Sequence, residues 1–339
     1  MNLQELSCCY FPTTVLLVDD NQIFLANLSV GLDKQLSFIQ TTQPETALTL
    51  LQKATLLNSL SQTFTSTPKA HDDLANTQPL DKLVNTNISS IFHNVYNANR
   101  FEYISLVMVD YNMPGMNGIE FCTQLVQQNT FIKKIMLTGE ATHTTAVNAF
   151  NEGIIDKFIV KNTPTMLADI NAAIYQLQGQ AFHRISQPVI HSLASDKQTL
   201  LLNPNFMNFF NGLVQQKKIV EYYLLDATGS FLLLDSTASP TWLIVKSVDE
   251  LEKNLAIAKG NQAPASIANA LKKREKLPFF LTEQDFDTPV DKWESCLYEA
   301  KPLSSNEGYY YAVIEGNMKD YLDMEKIVSY KNYLHSLVI

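Results

Sequence analysis

Cysteine is scarce and poorly spaced for any framework. The four residues are Cys8, Cys9, Cys122 and Cys296. Two are adjacent and two stand alone, so no metal-binding spacing arises and no disulfide scaffold is expected. A basic surplus is also missing. The chain carries 25 Lys and Arg against 34 Asp and Glu, a net charge of −9. That balance, spread over both halves, argues against a phosphate-gripping nucleic-acid binder. No apolar run approaches the roughly 18 residues of a membrane span. The stretch MNLQELSCCYFPTTVLLV has no basic region and no long apolar core, so it does not read as a signal peptide. No zinc pattern, Walker loop, basic recognition helix, cyclase or phosphodiesterase signature and no internal repeat is found. The expectation from these absences is a soluble, cytoplasmic protein.

What is present is ordinary globular material, 46% hydrophobic and 17% charged over 339 residues. That length suggests two domains. The first half alternates apolar runs with helical patterns. The runs are TVLLV (14–18), LSFIQ (36–40), YISLVMV (103–109), KKIMLT (133–138) and KFIV (157–160). Several are apolar on successive residues, as strands covered on both faces are. Helical patterns follow at Gln22–Leu32, Pro44–Leu57, Gly118–Gln127, His143–Glu152 and Pro164–Gln180. This alternation predicts a five-stranded doubly wound parallel sheet.

Residues 58–102 break the rhythm. They begin polar and then place Leu80, Val84, Ile88, Ile91, Phe92 and Val95 at helical spacing. This reads as an insertion whose helix either packs back on the domain or offers a docking surface. Pro188 is expected to end the fifth helix, leaving residues 181–198 as a linker. In the second half, Asn203 and Pro204 form a helix start. Residues 219–246 read as two or three antiparallel strands, 307–316 as another, and 318–338 as a closing helix. The sum is an α+β domain. The tyrosines of EYYLLD and GYYYAV are read as mainly core, and the basic run LKKREK (271–276) as mainly a solvated face.

Why should a buried run end on a carboxylate? TVLLV ends on Asp19 and Asp20, and SLVMV ends on Asp110. Ligands of open parallel sheets bind beyond the carboxyl ends of the strands. If the first and third strands are neighbours, three carboxylates meet there and repel unless a cation joins them. A hard divalent ion with oxygen ligands suits them, Mg²⁺ above all. One carboxylate could then accept a phosphoryl group. Thr138 and Lys161 close the fourth and fifth strands, offering a hydroxyl and a positive charge.

VLLVDDN, VMVDYNMPGMNGIEF, IMLTGEA and NEGIIDKFIVKN together resemble the receiver domain of two-component response regulators. The resemblance covers roughly residues 13–180. It implies a flavodoxin-like receiver over 1–180 with the insertion at 58–102, then the linker, then an output domain over 199–339. It also implies Asp110 as phosphoacceptor and Asp20 as a direct metal ligand, with Asp19 acting through water. The backbone carbonyl of Asn112 would complete the ligands. Thr138 would be the switch hydroxyl, Lys161 the phosphate partner and Phe158 the switch aromatic. Asn112 and Glu140 would tune dephosphorylation, a histidine kinase would be the donor, and phosphorylation would drive homodimerisation. The whole chain is similar in architecture to quorum-sensing regulators that answer α-hydroxyketone autoinducer kinases.

Two departures stand out. The interval from Asp20 to Asp110 is 90 positions, about twice the family's usual spacing. Asn162 follows Lys161 where the family usually has proline, which puts the geometry of that loop in question. Three functions stay open at this point. The first is a non-enzymatic regulator whose output binds protein or itself. The second is a regulator whose output binds nucleic acid or a nucleotide. The third is a haloacid-dehalogenase-like phosphatase, although VDDN lacks the DxD that this needs.

Overall fold

The chain enters through a two-residue strand, β1 (Cys9–Tyr10), which belongs to the second of two large sheets. The architecture comes from a computed structural model that describes residues 6–53, 89–128, 131–139, 143–194, 200–281, 285, 287–304 and 308–337. The first sheet is built from β2 (Thr14–Val18), β3 (Ser37–Thr41), β4 (Ile104–Asp110), β5 (Lys133–Thr138) and β6 (Lys157–Val160). All neighbours are parallel, in the order β3-β2-β4-β5-β6.

Five helices cover this sheet: α1 (Gln22–Gly31), α2 (Pro44–Lys53), α3 (Gly118–Gln127), α4 (His143–Asn151) and α5 (Met166–Ala194). Side chains alternate across each strand. Leu16, Val18, Val107, Val109 and Met136 pack with α2, α3 and α4. Val15, Leu17, Leu106, Met108 and Ile135 pack with α1 and α5. With both faces buried, every position must be apolar, which is why the runs do not alternate.

The second sheet adds β7 (Ile219–Leu224), β8 (Phe231–Asp235) and β9 (Pro240–Ser247). After the short ribbon β10 (Lys276–Pro278) and β11 (Leu297–Glu299) come β12 (Lys301–Pro302) and β13 (Tyr309–Glu315). Its order is β1-β7-β8-β9-β13-β12, antiparallel throughout. Helix α6 (Pro204–Gln216) begins as read, with the Asn203 side chain accepting from the amides of Asn205 and Phe206. Helices α7 (Val248–Gly260) and α8 (Ala265–Lys272) follow β9. Tyr222 and Tyr223, on opposite faces of β7, are both fully buried, so this strand is covered on both sides.

Three expectations are corrected. Pro188 does not end α5, which runs on to Ala194. Pro188 and Arg184 are both exposed, so the side of the helix that loses a hydrogen bond faces water. Ile185, Val189 and Ile190 bury the opposite side, and that packing outweighs the loss. Residues 181–194 are therefore helical, continuous with the start of α5.

The closing helix is also shorter than read. Only α9 (Tyr330–Ser336) is α-helical, after 3-10 turns at Met318–Asp320 and Met324–Lys326. Lys319 and Asp320 sit at φ 48° and 53°, a left-handed conformation that no α-helix continues through.

Third, segments placed in the receiver by sequence also build the second core. β1 pairs with β7, and Ile91 and Val95 of the insertion join the same cluster, each fully buried. Of the insertion helix, Leu80, Val84 and Ile88 lie outside the described residues. Its described end packs back on the protein.

Candidate phosphoacceptor site

The register of two neighbouring strands creates the site. Val18 pairs with Val109, so Asp19 and Asp110, each the next residue, stand level at the carboxyl edge. Asp20 joins them. Oxygen atoms of the three carboxylates lie within 4.8 Å of one another. Asp19 and Asp110 are buried, and Asp20 is exposed.

Local signals hold each piece. Asn21 caps α1 through its side chain, accepting from the amides of Ile23 and Phe24. Its own N–H donates to Asp19 Oδ1 at 2.9 Å. Asn117 and Glu120 form a capping box at the start of α3. Gly118 is required where it stands, because a Cβ there would lie 2.4 Å from the Asp110 carbonyl oxygen.

Lys161 bridges the crevice. Its Nζ lies 2.7 Å from Asp19 Oδ2 and 2.8 Å from Asp110 Oδ1. The Phe24 ring lies under the same nitrogen at 4.3 Å. Burial pushes the Asp110 carboxyl above the usual carboxylate range, against the pull of Lys161. Burial draws the Lys161 ammonium down, but Asp110 and Asp19 outweigh it and hold it up.

Thr138 is fully buried at the end of β5. Its carbonyl accepts from the Lys161 N–H at 2.8 Å, so the two strand ends are tied together. The Thr138 hydroxyl donates to the Gly139 carbonyl at 3.1 Å. Asn112 is exposed in the loop after β4. Phe158 is half-buried, with its ring edge-on to Phe150 at 6.4 Å. Glu140 lies outside the described residues. Asn162 takes φ 64°, which asparagine tolerates better than most residues and which proline, fixed near −65°, cannot adopt. The loop after Lys161 is thus built differently from a proline-containing one.

The sequence reading assembled Asp19, Asp20, Asp110, Thr138 and Lys161 at one rim. It missed Phe24, because an aromatic in the first turn of a helix carries no signal of what lies above it. It missed the contact of Gly118 with the Asp110 backbone, although the glycine opens α3 immediately after the turn. It read Asn21 only as part of VLLVDDN, although Asn before an apolar helix is a capping signal.

The donor set fits a hard cation, since it offers carboxylate oxygens and no nitrogen or sulfur. A parallel sheet in this order, with an acidic crevice at the point where the order reverses, is a receiver domain. Known proteins agree. The response regulator receiver domain profile matches residues 84–174. Among solved structures, the Legionella pneumophila response regulator LqsR is 33% identical over 98% of this chain and 96% of its own, with a TM-score of 0.77. An uncharacterized protein from Neptuniibacter caesariensis is 22% identical, covering 52% of this chain and 93% of its own, with a TM-score of 0.35. An adenylate cyclase from Rhodopirellula baltica is 23% identical, covering 52% and 93%, with a TM-score of 0.32. These two likenesses are too loose to carry any argument. No curated protein sequence matches the chain. The chain belongs to the response-regulator family, and its similarity to LqsR spans both sheets.

Proposed function

We propose that this protein is a regulator switched by phosphorylation of Asp110, with a histidine kinase as donor. One observation carries the reading: the three carboxylates within 4.8 Å at adjacent strand ends, two of them clamped by Lys161. Asp20, Asp19, Asp110 and the Asn112 carbonyl would hold Mg²⁺. When bound, the ion would offset charge on the phosphoryl oxygens. Asp110 supplies the accepting oxygen. Lys161 then exchanges a carboxylate partner for a phosphoryl oxygen, and Thr138 turns its hydroxyl from Gly139 toward the same group. The phosphorylated state is favoured to the extent that these two contacts are better made in it.

The chain turns over no other substrate in this reading, since VDDN does not offer the pair of acids that a haloacid-dehalogenase-like phosphatase uses. Phosphorylation promotes homodimerisation through the face of α4 and β6, where Phe150 is half-exposed. The output domain binds protein, or a second copy of itself. Two cations of the basic run face acids, Lys273 with Glu275 and Arg274 with Glu252, which weakens its case as a nucleic-acid grip. The kinase partner is of the α-hydroxyketone-sensing kind, by the resemblance of the whole chain. No helix among the described residues is long and apolar enough to cross a membrane.

The test is labelling by acetyl phosphate with Mg²⁺ and with chelator, followed by light scattering. Labelling should need the ion, vanish in Asp110→Asn and raise the dimer fraction. Equal labelling of Asp110→Asn would overturn the assignment.

A further inference from the structure

Far from the acidic crevice in sequence, one cluster joins a nucleophile to an amine. Cys296 ends the 3-10 turn Val290–Cys296 and is fully buried. Its sulfur accepts from Lys319 Nζ at 2.8 Å. The same ammonium donates to Asp285 Oδ1 at 3.1 Å. Tyr321 OH donates to the other oxygen of Asp285 at 2.7 Å, and the Leu281 N–H donates to that oxygen at 3.1 Å. The amine is therefore held between a sulfur and an anchored carboxylate. The backbone is bent to deliver it: Lys319 and Asp320 both take left-handed φ values, which ordinary residues rarely adopt.

The site has the chemistry of a reactive pair. Burial draws the Lys319 ammonium down, but contact with Cys296 and Asp285 raises it overall. The Lys319 nitrogen lies 2.8 Å from the Cys296 sulfur, so an oxidised sulfur would stand within reach of the amine. Other outcomes are closed. Cys8 and Cys9 lie in the core of the antiparallel sheet and Cys122 in that of the parallel sheet, so no second thiol is at hand for a disulfide. Full burial of Cys296 keeps bulky thiols out. Lys319 leaves a quarter of its side chain in solvent, so the pair meets water at its amine end.

We propose that Cys296 and Lys319 are a modification site at which hydrogen peroxide drives a sulfur–nitrogen crosslink. In the first step the sulfur attacks peroxide and the O–O bond breaks. The sulfur gains a hydroxyl as a sulfenic acid, and water leaves. Sulfur loses two electrons and peroxide takes them. The sulfur that accepted from the ammonium now carries the hydroxyl. Lys319 releases one proton to solvent and its nitrogen attacks the sulfur. The S–O bond breaks, and the hydroxyl leaves as water with a second N–H proton. In sum, one thiol, one ammonium and one peroxide give a sulfenamide, two waters and one proton. The product chain is two hydrogens lighter. The link fastens the turn after β13 to the end of the Val290–Cys296 turn. That turn leads to α9, whose Tyr330 OH donates to the Gln35 carbonyl beside the parallel sheet at 2.6 Å. The crosslink thus acts on the segment that joins the two sheets.

The test is peroxide treatment of the full chain, digestion without reductant and mass spectrometry, with dimedone as a trap for sulfenic acid. The wild-type protein should yield one peptide pair joined through residues 296 and 319, two hydrogens lighter than its parts, and lost on adding excess dithiothreitol. Dimedone should label it little. Lys319→Arg keeps the charge but removes the attacking amine, so the joined pair should vanish and dimedone should label Cys296. Wild-type chain oxidised in urea should give no joined pair, which serves as a check that does not depend on any variant folding. Dimedone labelling of wild type equal to Lys319→Arg with no joined pair, an unmodified Cys296, or an equal yield in urea would each overturn the proposal.

Discussion

Replacing Arg100 by Met should destabilise the protein more than any single change at the acidic crevice. Arg100 lies in the insertion and Glu221 in β7, and both side chains are fully buried. The guanidinium grips the carboxylate with two prongs, Nε to Oε2 at 2.8 Å and Nη2 to Oε1 at 2.9 Å. It also donates to the carbonyls of Val328 at 2.7 Å and Asn97 at 3.1 Å. Tyr223 OH donates to Glu221 at 2.8 Å. One cation thus ties the insertion, the second sheet and the C-terminal segment together. Without it, Glu221 keeps the Tyr223 hydroxyl as its one remaining donor among these groups. Breaking a buried pair from one side costs about 3–5 kcal/mol. At about 2 °C per kcal/mol for a chain of this size, the midpoint should fall by roughly 6–10 °C. Arg100→Lys should recover only part, because an ammonium cannot make the two-pronged contact. Arg100→Met with Glu221→Leu should recover most of it, because the stranded charge is gone. Urea and thermal melts of the four proteins provide the assay. A loss under about 1 kcal/mol in Arg100→Met, or a double variant no better than the single one, would refute the reasoning.

Further outcomes follow from the same geometry. Gly118→Ala should cost about 1–3 kcal/mol by overpacking and should slow acetyl-phosphate labelling, since the new methyl must push the Asp110 carbonyl aside; unchanged labelling kinetics would contradict this. Asp156 sits between Lys133 and Lys134 at 2.9 and 3.2 Å. Burial alone would raise its carboxyl, but Lys134 and Lys133 outweigh it and hold it below the usual carboxylate range. A carboxyl depressed in the folded state contributes stability above its unfolded pKa, and that stability is lost as pH falls through the folded value. Asp156→Asn should therefore flatten the acid limb of a urea-midpoint profile below about pH 4, and an unaltered limb would exclude that role. Asn112→Ala and Glu140→Ala should alter the acyl-phosphate lifetime; unchanged decay in both would rule out a tuning role.

Most of the receiver could be read from the chain because its signals are local. Asp19 and Asp110 end apolar runs, Gly118 opens a helix, and Lys161 directly follows the fifth strand of the parallel sheet. Adjacency of two strands then suffices to gather the acids. What could not be read depends on distant partners. Arg100 and Glu221 are 121 positions apart, and nothing near either one signals the other. The pairing of Cys9 with Tyr223 is equally remote. Pro188 misled because its local rule assumes a helix without support, whereas Ile185, Val189 and Ile190 are packed. The closing helix misled because Met318 and Leu322 are buried at helical spacing, whereas the chain between them turns through the left-handed Lys319 and Asp320.

The most direct measurement is the position of the phosphoryl group. Protein treated with acetyl phosphate and Mg²⁺ is reduced with borohydride, which converts a phosphorylated aspartate to homoserine, and is then digested and sequenced by mass spectrometry. Homoserine should appear at position 110 and nowhere else. Homoserine at position 19 or 20, or none in protein shown to be folded, would contradict the account.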